Sequence, residues 1–217
     1  MRPREAVSAP RARRRDKLGP DAAVRREILT AASTVLREQG IGKLSVGAVL
    51  ERAALGTRAF YRHFDSKDDL VTALFLELAR AEERRLRRRM ASAATEVDAV
   101  AAWIDGRLDL AFGDDNIRSD LRRLSLEAQS QSPALVQPAY AEMLKPLSAA
   151  LERGLRAGVF HHIDPVTDAE FIHGVVWAGI NQQWATGDRD RKDLRERMLR
   201  FCLRGLGVRV RESIKGD

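Results

Sequence analysis

Residues Ser45–Lys67, SVGAVLERAALGTRAFYRHFDSK, read as two short helices joined by a tight turn and followed at once by the cap of a third, longer helix. Ser45 is a good N-cap, and Leu44 and Val49 on either side of it stand at the spacing of a hydrophobic staple. The first helix of the pair is thus predicted over Val46–Ala53. Ala54-Leu55-Gly56 forms the turn, with Gly56 as the next N-cap and Leu55 and Phe60 repeating the staple spacing. The second helix is predicted over Thr57–Phe64. A helix of two turns is not stable alone, so Phe60 and Phe64 must pack inward and leave Thr57, Arg58, Tyr61 and Arg62 outward. A short helix that offers Thr, Arg and Tyr to solvent suits a DNA-reading element.

LSV, an Ala-rich turn and then FYRHFDSKDDL together resemble the DNA-binding domain of TetR-family bacterial transcriptional regulators, over about Val24–Leu70. The FYRHF-x-SK string at a fixed distance after LSV is far more restrictive than a generic helix-turn-helix. Ala54 departs from the family pattern, which usually has Gly there, and so does Gly56, where Ser is common.

Working outward, the 217-residue chain is long enough to bury a sizeable core, and no apolar run approaches the length of a membrane span. This composition predicts a cytoplasmic protein with no membrane partner. The single cysteine, Cys202, excludes a disulfide within the chain and reads as a buried small hydrophobe. The net charge is +7, and residues 1–20 hold seven Arg and Lys against Glu5 and Asp16. With Pro3, Pro10 and Pro20 and little to bury, this segment is predicted to be a disordered basic arm. It reads either as an arm adding phosphate contacts or entering a minor groove, or as a solvated leader.

The remaining pattern is helical throughout, apart from a period-two tail, VRVRE. A helix is predicted over Asp21–Gln39 from the stripe Val24, Ile28, Ala31, Ala32, Val35 and Leu36. Ser66-Lys67-Asp68-Asp69 fits a capping box opening a helix to Met90, whose basic second half is balanced by Glu82 and Glu83 at helical spacing. Helices are further predicted over Glu96–Phe112, Ile117–Ser130, Pro133–Gly158, Thr167–Thr186 and Asp190–Leu206. The fourth of these starts from a Thr167-x-x-Glu170 capping box with Val166 and Phe171 as its staple. The fold class is therefore all-α, with about nine helices: three forming a helix-turn-helix domain over residues 21–66, then a helical bundle over 67–208 and a tail over 209–217.

In the DNA-binding half, Thr57 and Arg58 can reach base edges, where Arg suits the two acceptors of a guanine. Tyr61, His63 and Lys67 match the family positions that hold backbone phosphates, Ser45 can do so from the start of its helix, and Arg62 adds positive charge. Gly47 offers no side chain for base reading. The resemblance implies a homodimer in which the last two helices pair with their mates. Gly174, Ala178, Asn181 and Ala185 would permit close approach there, with Val175, Trp184, Met198 and Phe201 as apolar contacts. It also implies a ligand pocket in the bundle. The candidates are Phe75, Trp103, Leu110, Leu124, Met143, Leu147, His173 and Trp177, each of which also reads as ordinary core.

The expected function is sequence-specific DNA binding, as a repressor released from a palindromic double-stranded operator by a small, largely apolar effector. The alternative is a dimeric DNA-binding regulator or architectural protein without a small-molecule switch. No cofactor, metal site or enzymatic activity is expected. His161, His162 and Asp164 lack the i, i+4 geometry of a helical metal site, and no nucleophile motif, carboxylate pair or Gly-rich phosphate loop stands in the chain.

Overall fold

The computed structural model describes residues 21–112 and 133–208. The predicted arm 1–20, the predicted helix Ile117–Ser130 with Leu124 in it, and the tail 209–217 lie outside the described residues. The fold is all-α. Eight α-helices stand among those residues: α1 (Ala22–Gln39), α2 (Val46–Ala53), α3 (Thr57–Phe60), α4 (Lys67–Met90), α5 (Glu96–Phe112), α6 (Pro133–Arg156), α7 (Pro165–Thr186) and α8 (Arg191–Gly205). One 3₁₀ turn, Ile41–Lys43, separates α1 from α2.

Most boundaries are set by side chains that satisfy the free N–H groups of a first helical turn. Asp21 accepts from Ala23 N–H at 2.8 Å, Ser45 from Ala48 N–H at 3.1 Å, Ser66 from Asp69 N–H at 3.1 Å and Asp190 from Asp193 N–H at 2.9 Å. Two predicted boundaries are corrected. The helix α3 is a single turn that ends at Phe60, and hydrogen bonds from His63 and Phe64 N–H to the Phe60 carbonyl carry the chain on as turn. The cap of α7 is Asp164, which accepts from Thr167 N–H at 2.7 Å while Asp168 accepts from Asp164 N–H at 2.8 Å. Pro165 then occupies the first helical position, where its missing N–H costs nothing. Val166 and Phe171 are consequently no staple, and both are exposed.

Two hydrophobic clusters are buried. The first joins α1, α2, α3 and the start of α4 through Ile28, Leu36, Val49, Phe60, Phe64 and Leu74. The second joins the end of α4 with α5 to α8 through Leu86, Trp103, Ile104, Leu147, Phe160, Val176 and Cys202. The helix α4 thus belongs to both, with Leu70 and Leu74 at one end and Leu86 and Met90 at the other. Tyr140 on α6 packs against both clusters as well.

Candidate nucleic-acid interface and bundle site

The turn between α2 and α3 is built as the sequence leads one to expect, with one unusual residue. Leu55 N–H donates to the Leu50 carbonyl at 3.0 Å and Ala54 N–H to the Glu51 carbonyl at 3.3 Å, the paired bonds of a Schellman motif. Ala54 therefore sits in the left-handed region, at φ 51° and ψ 37°, where a Cβ is disfavoured. At the base of α3, Phe60 and Phe64 are buried with ring centroids 5.6 Å apart, and the guanidinium of Arg25 lies 5.1 Å from the Phe64 ring centre. Tyr61 meets the Phe60 ring edge-on at 5.2 Å yet remains largely exposed. Thr57, Arg58, Arg62 and Lys67 are exposed on the same segment. Ser45 is exposed with its Oγ engaged as the cap of α2. His63 is half-buried, and its Nδ1 is enclosed without a partner among the described residues. A Cβ at Gly47, at the start of α2, would meet Ser45 Oγ at 3.9 Å, an ordinary contact.

In the bundle, the pocket candidates separate. Trp103, Met143 and Leu147 are buried in the second cluster, and His173 and Trp177 are half-buried against it. Phe75 does not belong with them. It lies on the part of α4 that faces the first cluster, so it packs in the N-terminal domain. Leu110 is within α5, but its side chain, like Leu124, lies outside the described residues.

What periodicity did not reveal is the polar centre of this region. Arg107 on α5, one turn after Trp103, is only 5% exposed, and its Nη1 donates to Glu82 of α4 at 2.9 Å. Glu82 also receives Arg85, at 2.7 and 2.9 Å. Burial raises the pKa of Glu82, but the hydrogen bond from Arg85 and the charges of Arg107 and Arg85 outweigh that and hold it below the usual carboxylate range. His173 has ring neighbours on three sides: Tyr140 at 5.4 Å, Trp177 at 6.2 Å and Trp103 at 6.3 Å between centroids. Desolvation, helped by the Arg107 charge, lowers its pKa to about 4, so it is neutral at pH 7.

Several enclosed polar atoms here have no hydrogen-bond partner among the described residues: Arg107 Nε, Trp103 Nε1, His173 Nδ1, Trp177 Nε1, Asn181 Oδ1 and Trp184 Nε1. Each such atom costs about 1–3 kcal/mol, and folded proteins keep few of them. Their concentration on α5 and one side of α7 makes this region the bundle's candidate site. The sequence signal was present but faint: an arginine four residues after Trp103 in an otherwise apolar stripe, EVDAVAAWIDGRLDLAF.

The outer faces of α7 and α8 are open. Gly174, Ala178 and Ala185 are exposed, and a side chain added at Gly174 would meet nothing within 4 Å. Phe171 and Phe201 are each 65% exposed. Val175 and Trp184 pack in part against the chain's own core, and Asn181 is half-buried. Met198 is corrected: it is 5% exposed and turned inward against Gly179, which leaves it inside its own bundle and away from the outer face.

Residues 28–74 match the family model described as bacterial regulatory proteins, tetR family. The fatty acid metabolism regulator protein of Bacillus subtilis (strain 168) is 24% identical over 168 residues, spanning 75% of this chain and 84% of that protein. Among solved structures, the transcriptional regulator FadR from Bacillus subtilis in complex with stearoyl-CoA superposes with a TM-score of 0.61 at 20% identity, over 83% of this chain and 98% of that one. RolR in complex with resorcinol gives a TM-score of 0.65 at 22% identity, over 86% of this chain and 89% of that one. No helix among the described residues is long and apolar enough to cross a membrane. With its capped helix pair and its exposed α3, the segment 28–74 is that of the tetR family of bacterial regulatory proteins, and the chain as a whole shares the fold of these regulators.

Proposed function

We propose that this DNA-binding regulator is a homodimeric repressor that sits on a palindromic operator in the cytoplasm and is released by a small effector held in the bundle. It acts by binding and not by turnover. Residues 21–66 bind DNA, and 67–208 hold the effector and the partner subunit. Thr57 and Arg58 read bases, while Tyr61, Arg62, His63, Lys67 and the N-terminus of α2 at Ser45 hold phosphates. The exposed faces of α7 and α8, with Phe171, Gly174, Ala178, Ala185 and Phe201, meet their mates.

The observation that carries the reading is α4. One continuous helix has its first turns in the core beneath α3 and its last turns in the bundle beside Glu82, so a change at the bundle site is delivered to the position of α3. A ligand that binds one placement of α4 better shifts the population toward it, and a coupling of about 1–3 kcal/mol alters operator affinity roughly 5 to 150-fold. The stearoyl-CoA and resorcinol complexes of related folds support a bundle that accepts small molecules.

Selection of duplexes from a random library by the purified protein tests this. Enrichment of an inverted repeat with half-sites about one helical turn apart, roughly 34 Å, is expected. Recovery of unrelated sequences, or of a lone half-site, contradicts it.

A further inference from the structure

The buried guanidinium of Arg107 has more positive charge and more donors than the described residues around it consume. Its carboxylate partner, Glu82, is shared with Arg85. The second carboxylate within reach of Arg85, Asp109, is itself shared with Arg89 and Arg191. Four guanidinium groups thus stand around two carboxylates, and the Nε of the most buried one is enclosed and unpaired among the described residues. A buried cation in that state calls for an anion. His173 is no competitor for it, because it accepts or donates as a neutral ring.

Aromatic rings gather near Arg107. Trp103 is one turn away on the same helix, and Tyr140, His173 and Trp177 form an aromatic row across from it. Such rings take an apolar body, and their enclosed N–H groups fix its orientation. One guanidinium edge matches the two oxygens of a single carboxylate; a phosphate dianion would need further donors and would lie against Glu82.

We propose that the effector of the bundle site is a monocarboxylic acid, its apolar body among Trp103, Tyr140, His173 and Trp177 and its carboxylate on Arg107. This deepens, and rests on, the effector-released repressor described above. The acid takes Arg107 in competition with Glu82, and because Glu82 stands on α4, the exchange loosens the attachment of α4 to α5. No covalent step is involved.

The test titrates the full chain by calorimetry with 2-naphthoate and with dodecanoate, each against its uncharged amide, and with stearoyl-CoA. Anisotropy of the selected operator is followed in parallel. At least one acid binds while its amide does not; which acid succeeds tells whether the body is a ring or a chain. Arg107→Gln weakens that acid about tenfold or more, as loss of a charge-assisted bond should. Glu82→Gln, which frees Arg107, tightens it, a gain that a merely structural role for the pair would not give. Amides binding as well as acids, acids that fail altogether, or an Arg107→Gln protein that binds them unchanged would overturn the assignment. If stearoyl-CoA alone binds and releases DNA, the effector-released repressor stands and the carboxylate site falls. An acid that binds through Arg107 without affecting operator affinity leaves the site standing and removes the release mechanism.

Discussion

Ala54 holds the left-handed position that ends α2, a place where an L-residue with a Cβ is strained by roughly 1–2 kcal/mol and where glycine is not. Ala54→Gly is expected to raise stability by about 0.5–1 kcal/mol once the entropy lost by glycine on folding is subtracted, read as a higher denaturant midpoint at unchanged slope. His173 makes a second prediction, on pH. Its folded pKa, about 4, lies below the ordinary value of 6.5, so the unfolded chain binds its proton first as the pH falls. The neutral ring is therefore compatible with the fold above pH 6.5, and stability is lost on acidification between pH 6.5 and 4, by up to about 3 kcal/mol. In His173→Phe that part of the acid sensitivity is expected to disappear in urea titrations at pH 7, 5.5 and 4.5; an unchanged pH slope would contradict the burial argument. Cys202, 4% exposed, has its thiol pKa pushed up to about 11 by burial, in keeping with a packing role.

At the scale of elements, α2, α3 and the start of α4 were legible because caps, staples and aromatic spacing are local, and local signals survive in a sequence. The end of α3 at Phe60 was less so, since Phe64 still bonds to Phe60 and the helical pattern outlasts the helix. The start of α7 was misplaced because Thr167-x-x-Glu170 imitates a cap that Asp164 and Asp168 supply. This segment makes a third prediction. Tyr61→Ala and Lys67→Ala, removing phosphate partners from the α3–α4 segment, are expected to weaken all duplexes alike, and Lys67→Ala to reduce the slope of log affinity against log salt by up to about one. A change confined to one base position would mean that these residues read sequence instead. On α7 and α8, Phe171→Glu with Phe201→Glu places charge on the two most exposed large apolar side chains among the described residues. Light scattering is expected to show the proposed dimer for the wild type and folded monomer for the variant; a variant that stays dimeric would place the interface elsewhere.

Across the whole molecule, the two-core architecture followed from helix count and order, but the assignment of residues to each core did not. Phe75 was expected in the bundle and packs in the N-terminal core, because α4 changes partners along its length and nothing in its periodicity marks where. Arg107, Glu82 and Tyr140 escaped for the complementary reason: their role depends on three different helices meeting, and an ion pair between α4 and α5 has no spacing rule in the sequence. The pair ties the candidate bundle site to the same helix whose first turns underlie α3, so under the proposed release mechanism effector and DNA affect each other's binding by equal factors.

The proposed reading of DNA by α3 is tested most directly by anisotropy titration of the selected operator. Wild type and Arg58→Ala would each be compared on the operator and on duplexes altered one base pair per half-site. Wild type is expected to lose about 1–3 kcal/mol per half-site at the position that Arg58 contacts, and Arg58→Ala to bind the operator and that altered duplex nearly alike. An Arg58→Ala protein that keeps the full preference at every position would contradict the docking of α3 in the major groove.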